Sequence, residues 1–110
     1  MILGLGIDLV RIERIERAMA RNPRFLERVL TPAERALADS AEWVAGRWAA
    51  KEAIAKAVPI RLSWQDVEVL PGLGGKPIAR VLVPLEGSLF VSITHERDHA
   101  AAVAALESVP

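Results

Sequence analysis

Apolar and polar positions alternate along this chain with two periods, and the change from one to the other marks its elements. Ile2 to Ile7 is an apolar run of strand length interrupted by Gly4 and Gly6, with Asp8 at its end. Glycines inside such a run mark a bulge or a close approach of backbones. From Arg11 to Arg21 the period is helical: Ile12, Ile15 and Met19 form one stripe, and Arg14, Arg17 and Arg21 the opposite one. Asn22-Pro23 ends that helix, because proline lacks an amide donor and turns the preceding residue away from helical angles. Phe25, Leu26, Val29 and Leu30 give a short second helix. Thr31-Pro32-Ala33-Glu34 is a helix start, with Thr31 as N-cap, Pro32 at the first helical position and Glu34 reaching back as a capping box. That helix is brief, ending near Asp39-Ser40, and a longer one capped by Ser40 or a neighbour runs from about Glu42 to Val58, where Pro59 stops it.

After Pro59 the period shortens. Val67 and Val69 alternate with Glu68, Pro71 to Gly75 is a cluster of turn residues, and Ile78 to Val83 and Ser88 to Thr94 are β runs. Antiparallel hairpins packed on the long helix are expected. Ala100 to Leu106 is ambiguous, since its alanines favour helix by propensity. The pattern predicts an α+β fold: an N-terminal strand, three helices with a long central helix, then antiparallel strands packed on it.

Composition narrows this further. A chain of 110 residues, 52% hydrophobic and 25% charged, is expected to form one domain spanning 1–110 rather than a disordered segment. The absence of cysteine rules out disulfides, cysteine metal sites and a cysteine nucleophile, and it fits a reducing compartment. No apolar run approaches the roughly 20 residues needed to span a bilayer, and Met1 to Gly4 lacks a basic leader. A cytoplasmic protein without membrane attachment is expected. Fourteen basic and fourteen acidic residues cancel, so no global field draws nucleic acid. Locally, six arginines and three glutamates between residues 11 and 28 leave a basic patch suited to an acidic partner.

The candidate chemistry centres on Trp48 to Lys56, where charges interrupt a run of small apolar residues. At about 100° per residue, Glu52 and Lys56 lie one turn apart on the side of Trp48 and Ala49, while Arg47 and Lys51 occupy a second polar edge. A carboxylate among alanines needs a counter-charge. From spacing alone, Lys56 in an ordinary i,i+4 pair and a metal ion both qualify. Asp8 is likewise either the cap of the following helix or a ligand at a strand end.

The run W48-x-x-K51-E52-x-x-x-K56 resembles the signature of the phosphopantetheinyl transferases. Gly6-Ile7-Asp8, Phe25, Arg28 to Thr31, Glu34, Gly46-Arg47, Trp64 to Val69, Gly75-Lys76-Pro77 and Val91 to His95 follow in the order of the short, single-domain branch, the holo-acyl-carrier-protein synthases. The resemblance implies transfer of phosphopantetheine from coenzyme A to a serine of apo acyl carrier protein, within fatty acid biosynthesis. It implies a magnesium ion held by Asp8 and Glu52, with Asp8, Glu52 and Lys56 as the catalytic set. Arg47, Lys76, Pro77 and His95 match positions near the coenzyme, and Arg14, Arg17 and Arg21 match the carrier-docking face. It further implies a final strand at Ala100 to Leu106 and a homotrimer with active sites at subunit interfaces. One departure stands out: where relatives carry a glycine-rich loop after the long helix, this chain has only Val58 to Ser63. Backbone N–H groups of such loops hold phosphates, so the alternative is a catalytically impaired, coenzyme A-binding relative with a regulatory role.

Overall fold

The computed structural model describes residues 1–109. The first strand, β1 (Ile2–Arg11), leads into α1 (Ile12–Arg21), α2 (Phe25–Val29), α3 (Pro32–Leu37) and the long α4 (Ala41–Ala57). Four strands follow: β2 (Val67–Pro71), β3 (Pro77–Val81), β4 (Ser88–His95) and β5 (His99–Glu107). Two antiparallel sheets result, one of order β1-β5-β4 and a separate β2-β3 hairpin.

The helix boundaries follow local chemistry. Ser40 caps α4 by accepting from Trp43 N–H, and the helix stops short of Pro59 as expected. At α3 the full capping box forms: Thr31 Oγ1 accepts from Glu34 N–H while Glu34 Oε1 accepts from Thr31 N–H at 2.8 Å. Helix α1 buries Ile12 and Ile15 and turns its arginines outward. Helix α4 is buried on several sides, with Val44, Ala45, Ala49, Ala50, Ala53 and Ile54 inaccessible to solvent. Its small apolar residues allow this burial between the two polar edges. Full burial of a side chain such as Ile54 contributes about 1.5–3 kcal/mol.

Segment 100–106 is a strand despite its alanines. As the central strand it pairs with β1 on one side and β4 on the other, and such pairing outweighs a weak helical preference. Its small residues also serve packing, for Ala100, Ala102, Ala104 and Leu106 are buried and β5 packs closely on α4.

Strand β1 lies still closer to the helix. A Cβ added at Gly4 would sit 1.9 Å from the Ala57 carbonyl oxygen, and one at Gly6 1.8 Å from that of Ala53. Only glycine permits this contact of backbone on backbone. The expected end of the strand before Asp8 needs correction. Pairing with β5 continues to Arg11 opposite His99, so Asp8 lies inside β1. Nor does Asp8 cap α1, whose N-cap is Arg11 without a side-chain bond.

The side chains of β1 alternate in role. Gly4, Gly6 and Asp8 occupy the face toward α4, whereas Leu3, Leu5, Ile7 and Leu9 are each more than half exposed. Phe90 of β4 and Val103 of β5 are also exposed. Four large apolar residues along one strand form a larger patch than isolated surface hydrophobics.

Candidate active site

The catalytic candidates meet where β1 crosses α4. Gly6 faces Ala53 and Gly4 faces Ala57, so the strand runs antiparallel to the helix, and Asp8, next on that face, lies one step nearer the helix start. Lys56 reaches across this contact. Its Nζ donates to the Ile7 carbonyl oxygen at 2.8 Å and lies 3.6 Å from Asp8 Oδ1. The Asp8 side chain is 17% exposed and that of Lys56 55%, so the pair opens to solvent from the lysine side. The i,i+4 pair between Glu52 and Lys56 does not form, because Lys56 turns to β1 instead. Glu52 enters no ion pair among the described residues. It lines a small cavity of about 150 Å³ with Lys51, Ala55, Ser63 and Trp64.

The other candidates are spread more widely. The Arg47 guanidinium lies 3.8 Å from the centre of the Trp43 ring, and its Nε donates to the Val69 carbonyl oxygen at 3.2 Å. Burial pulls its pKa down, while Glu34 and Asp39 act in the opposite direction. His95 ends β4 and faces Glu42 at 3.5 Å. Lys76 and Pro77 follow the left-handed Gly74 and Gly75 and line a groove of about 490 Å³ with Leu89 and Phe90. Lys56 borders a different cavity, of about 720 Å³, with Val58, Pro59, Leu85 and Leu106. Arg14, Arg17 and Arg21 share the exposed side of α1, although Arg17 is paired with Glu13. Arg14 also lies over Trp48 at 5.8 Å.

The profile of the 4'-phosphopantetheinyl transferase superfamily matches residues 4–104. The chain belongs to this superfamily. A holo-[acyl-carrier-protein] synthase of Exiguobacterium is 42% identical, over 97% of this chain and 93% of the relative. One from Streptococcus pyogenes is also 42% identical, over 97% and 98%. Among solved structures, a Bacillus anthracis holo-(acyl-carrier-protein) synthase in complex with CoA (3',5'-ADP) superposes with a TM-score of 0.89 at 39% identity, covering 99% of both chains. A Helicobacter pylori holo-[acyl-carrier-protein] synthase in complex with coenzyme A gives 0.81 at 31%, covering 94% of this chain and 99% of the other.

The alignment with the Exiguobacterium transferase spans 117 positions, seven more than the 110 residues present here, so at least seven positions are filled in the relative alone.

The feature that sequence reasoning missed lies beside the signature glutamate. Lys51 is buried, and its Nζ donates to Glu34 Oε1 at 2.6 Å, to the Val29 carbonyl oxygen at 2.8 Å and to that of Trp64 at 3.0 Å. Glu34 Oε2 accepts from Val69 N–H at 2.7 Å. The capping glutamate of α3 therefore also joins α4 to β2. The readable signal was a lysine flanked by Ala49, Ala50 and Ala53, which demands a buried carboxylate. Next to this hub, Trp48 packs against Trp64 with ring centroids 4.5 Å apart and against Phe25 at 5.8 Å.

Proposed function

We propose that the protein transfers the 4'-phosphopantetheine group of coenzyme A to a serine of apo acyl carrier protein, in fatty acid biosynthesis, releasing adenosine 3',5'-bisphosphate. We read residues 1–110 as one transferase domain working in the cytoplasm. The observation that carries the reading is the meeting of Asp8 and Lys56 across the β1–α4 contact, one helical turn from Glu52. The coenzyme complexes of the Bacillus anthracis and Helicobacter pylori relatives support the donor, and the relatives' names support the acceptor.

Phosphoryl transfer depends mainly on alignment and charge neutralisation. Asp8 and Glu52 are hard oxygen donors, and no group of three or more metal-ligating side chains gathers among the described residues. That set fits magnesium, which takes one or two carboxylates and completes its shell with phosphate oxygens and water. When bound, the ion supplies Lewis-acid neutralisation of pyrophosphate charge. Lys56, oriented by Ile7 and Asp8, keeps a donor for the leaving phosphate, since an ammonium has three. Arg47, Lys76 and His95 supply positive or hydrogen-bonding groups for the remaining coenzyme phosphates, and Pro77 shapes the turn that carries Lys76. Intact-mass spectrometry of an apo carrier incubated with coenzyme A tests the reading. A gain of one phosphopantetheine with magnesium, abolished by chelator, is expected; no gain with a folded protein and several carriers would sink it.

Arg14, Arg17 and Arg21 suit the acidic carrier, and guanidinium groups match carboxylates well. Arg14→Glu should raise KM for the carrier about tenfold or more while leaving KM for coenzyme A within twofold, and the difference should shrink with added salt. Steady-state kinetics with each substrate varied checks this.

A homotrimer with active sites at subunit interfaces accounts for two further features. The exposed Leu3, Leu5, Ile7 and Leu9 would be covered, and the Lys76–Pro77 groove, separate from the Lys56 cavity within one chain, could join a neighbour's site. Ultracentrifugation should find a trimer for the wild type and monomer for Leu5→Glu; a monomeric active wild type would refute the assembly.

A further inference from the structure

We infer that Lys51, paired with Glu34, is a positioning residue for transfer: it fixes the turn of α4 that carries Glu52 against the segment 62–64 facing it. This rests on the transferase reading of Glu52. The geometry supports it in three ways. First, all three donors of the Lys51 ammonium are used, on acceptors from three separate segments: the end of α2, the start of α3, and Trp64. Second, Trp64 and Ser63 line, together with Glu52, the small cavity that Lys51 also lines. The bond from Lys51 to the Trp64 carbonyl thus ties one lining segment of that space to the helical turn that carries Glu52. Third, Leu62 and Ser63 lie in the connection from α4 to β2, and this bond tethers it to the helix at Lys51, beside the packing of Trp64 on Trp48. Release of the tether would let residues 62–64 drift from Glu52, and a displacement of about 1 Å can cost on the order of a hundredfold in rate.

The pair is poorly explained by stability alone. Burial holds the Lys51 pKa below the ordinary lysine value despite the hydrogen bond to Glu34. A desolvated ion pair is often replaceable by apolar residues of like volume without loss of stability. Orientation is the property an apolar replacement would not supply, because dispersion contacts lack the direction of three fixed hydrogen bonds.

The test compares wild type, Lys51→Met and Lys51→Met/Glu34→Gln, each assayed well below its own Tm. Both variants should lose about tenfold or more in kcat while KM for coenzyme A stays within about twofold. A role confined to stability would lower Tm and leave kcat of the folded protein unchanged. A folded Lys51→Met protein with wild-type kcat, or a loss confined to KM, overturns the inference. If neither variant folds, Glu34→Gln keeps the shape and weakens only the pair. Its kcat should fall severalfold with KM unchanged, and an unchanged kcat overturns the inference equally. Wild type that transfers nothing would instead refute the transferase reading itself, and the two failures are told apart by that first measurement.

Discussion

Glu52→Ala should leave a folded protein whose transfer rate is lower by about a thousandfold, roughly 4 kcal/mol of transition-state stabilisation. The two halves of that expectation have separate causes. Glu52 forms no ion pair among the described residues, and alanine is the better helix former, so Tm should stay or rise slightly. The activity falls because one of the two carboxylates proposed to meet the metal is gone, leaving pyrophosphate charge poorly neutralised. Single-turnover transfer, with Tm measured on the same preparation, checks both halves. An active Glu52→Ala protein would overturn the mechanism, and one that unfolds would show Glu52 to be structural.

Glu34→Ala should do the reverse, lowering stability by about 3–5 kcal/mol, because it strands a buried ammonium and the Val69 N–H. Against a total of about 5–15 kcal/mol for a domain of this kind, the fall in Tm should be on the order of 10–20 °C. The pH dependence gives a second check. Lys51 already has a pKa below its ordinary 10.5 in the folded chain, so between the two values the unfolded chain holds more protons and stability rises with pH. Without the carboxylate that raises it, the pKa should drop further. Glu34→Ala should therefore regain stability as pH rises from neutral toward 10.5, over a wider window than wild type. Thermal melts across that range decide it; a loss independent of pH would place the cost in packing rather than in the stranded charge.

What the sequence revealed and what it hid follow from the range of each interaction. The ends of α3 and α4 were legible because Thr31, Glu34, Ser40 and Pro59 act within one turn of themselves. Strand β5 was not legible from its alanines, since what makes it a strand is pairing with β1 and β4. The apolar run stops at Asp8 and so suggests a strand end there, whereas the ladder, made by backbone groups, runs on to Arg11. Glu34 and Lys51 are 17 residues apart and share no period. The capping box accounts for Glu34 locally, so the sign of its second partner lies only at Lys51, a charge among alanines. The resemblance pointed to Asp8, Glu52 and Lys56, but not to the bond that turns Lys56 toward β1.

The contact of Gly4 and Gly6 with Ala57 and Ala53 bears on how this protein can change over evolutionary time. At Gly4 and Gly6 the distance between β1 and α4 is set by main-chain atoms. Elsewhere in the interior, exchanges among Val, Ile and Leu alter spacings by fractions of an ångström. Across this contact no such exchange is available, so the separation of the backbones bearing Asp8 and Glu52 is insulated from drift in the rest of the core. The surroundings are free to diverge while the two carboxylates proposed to meet the metal keep their gauge.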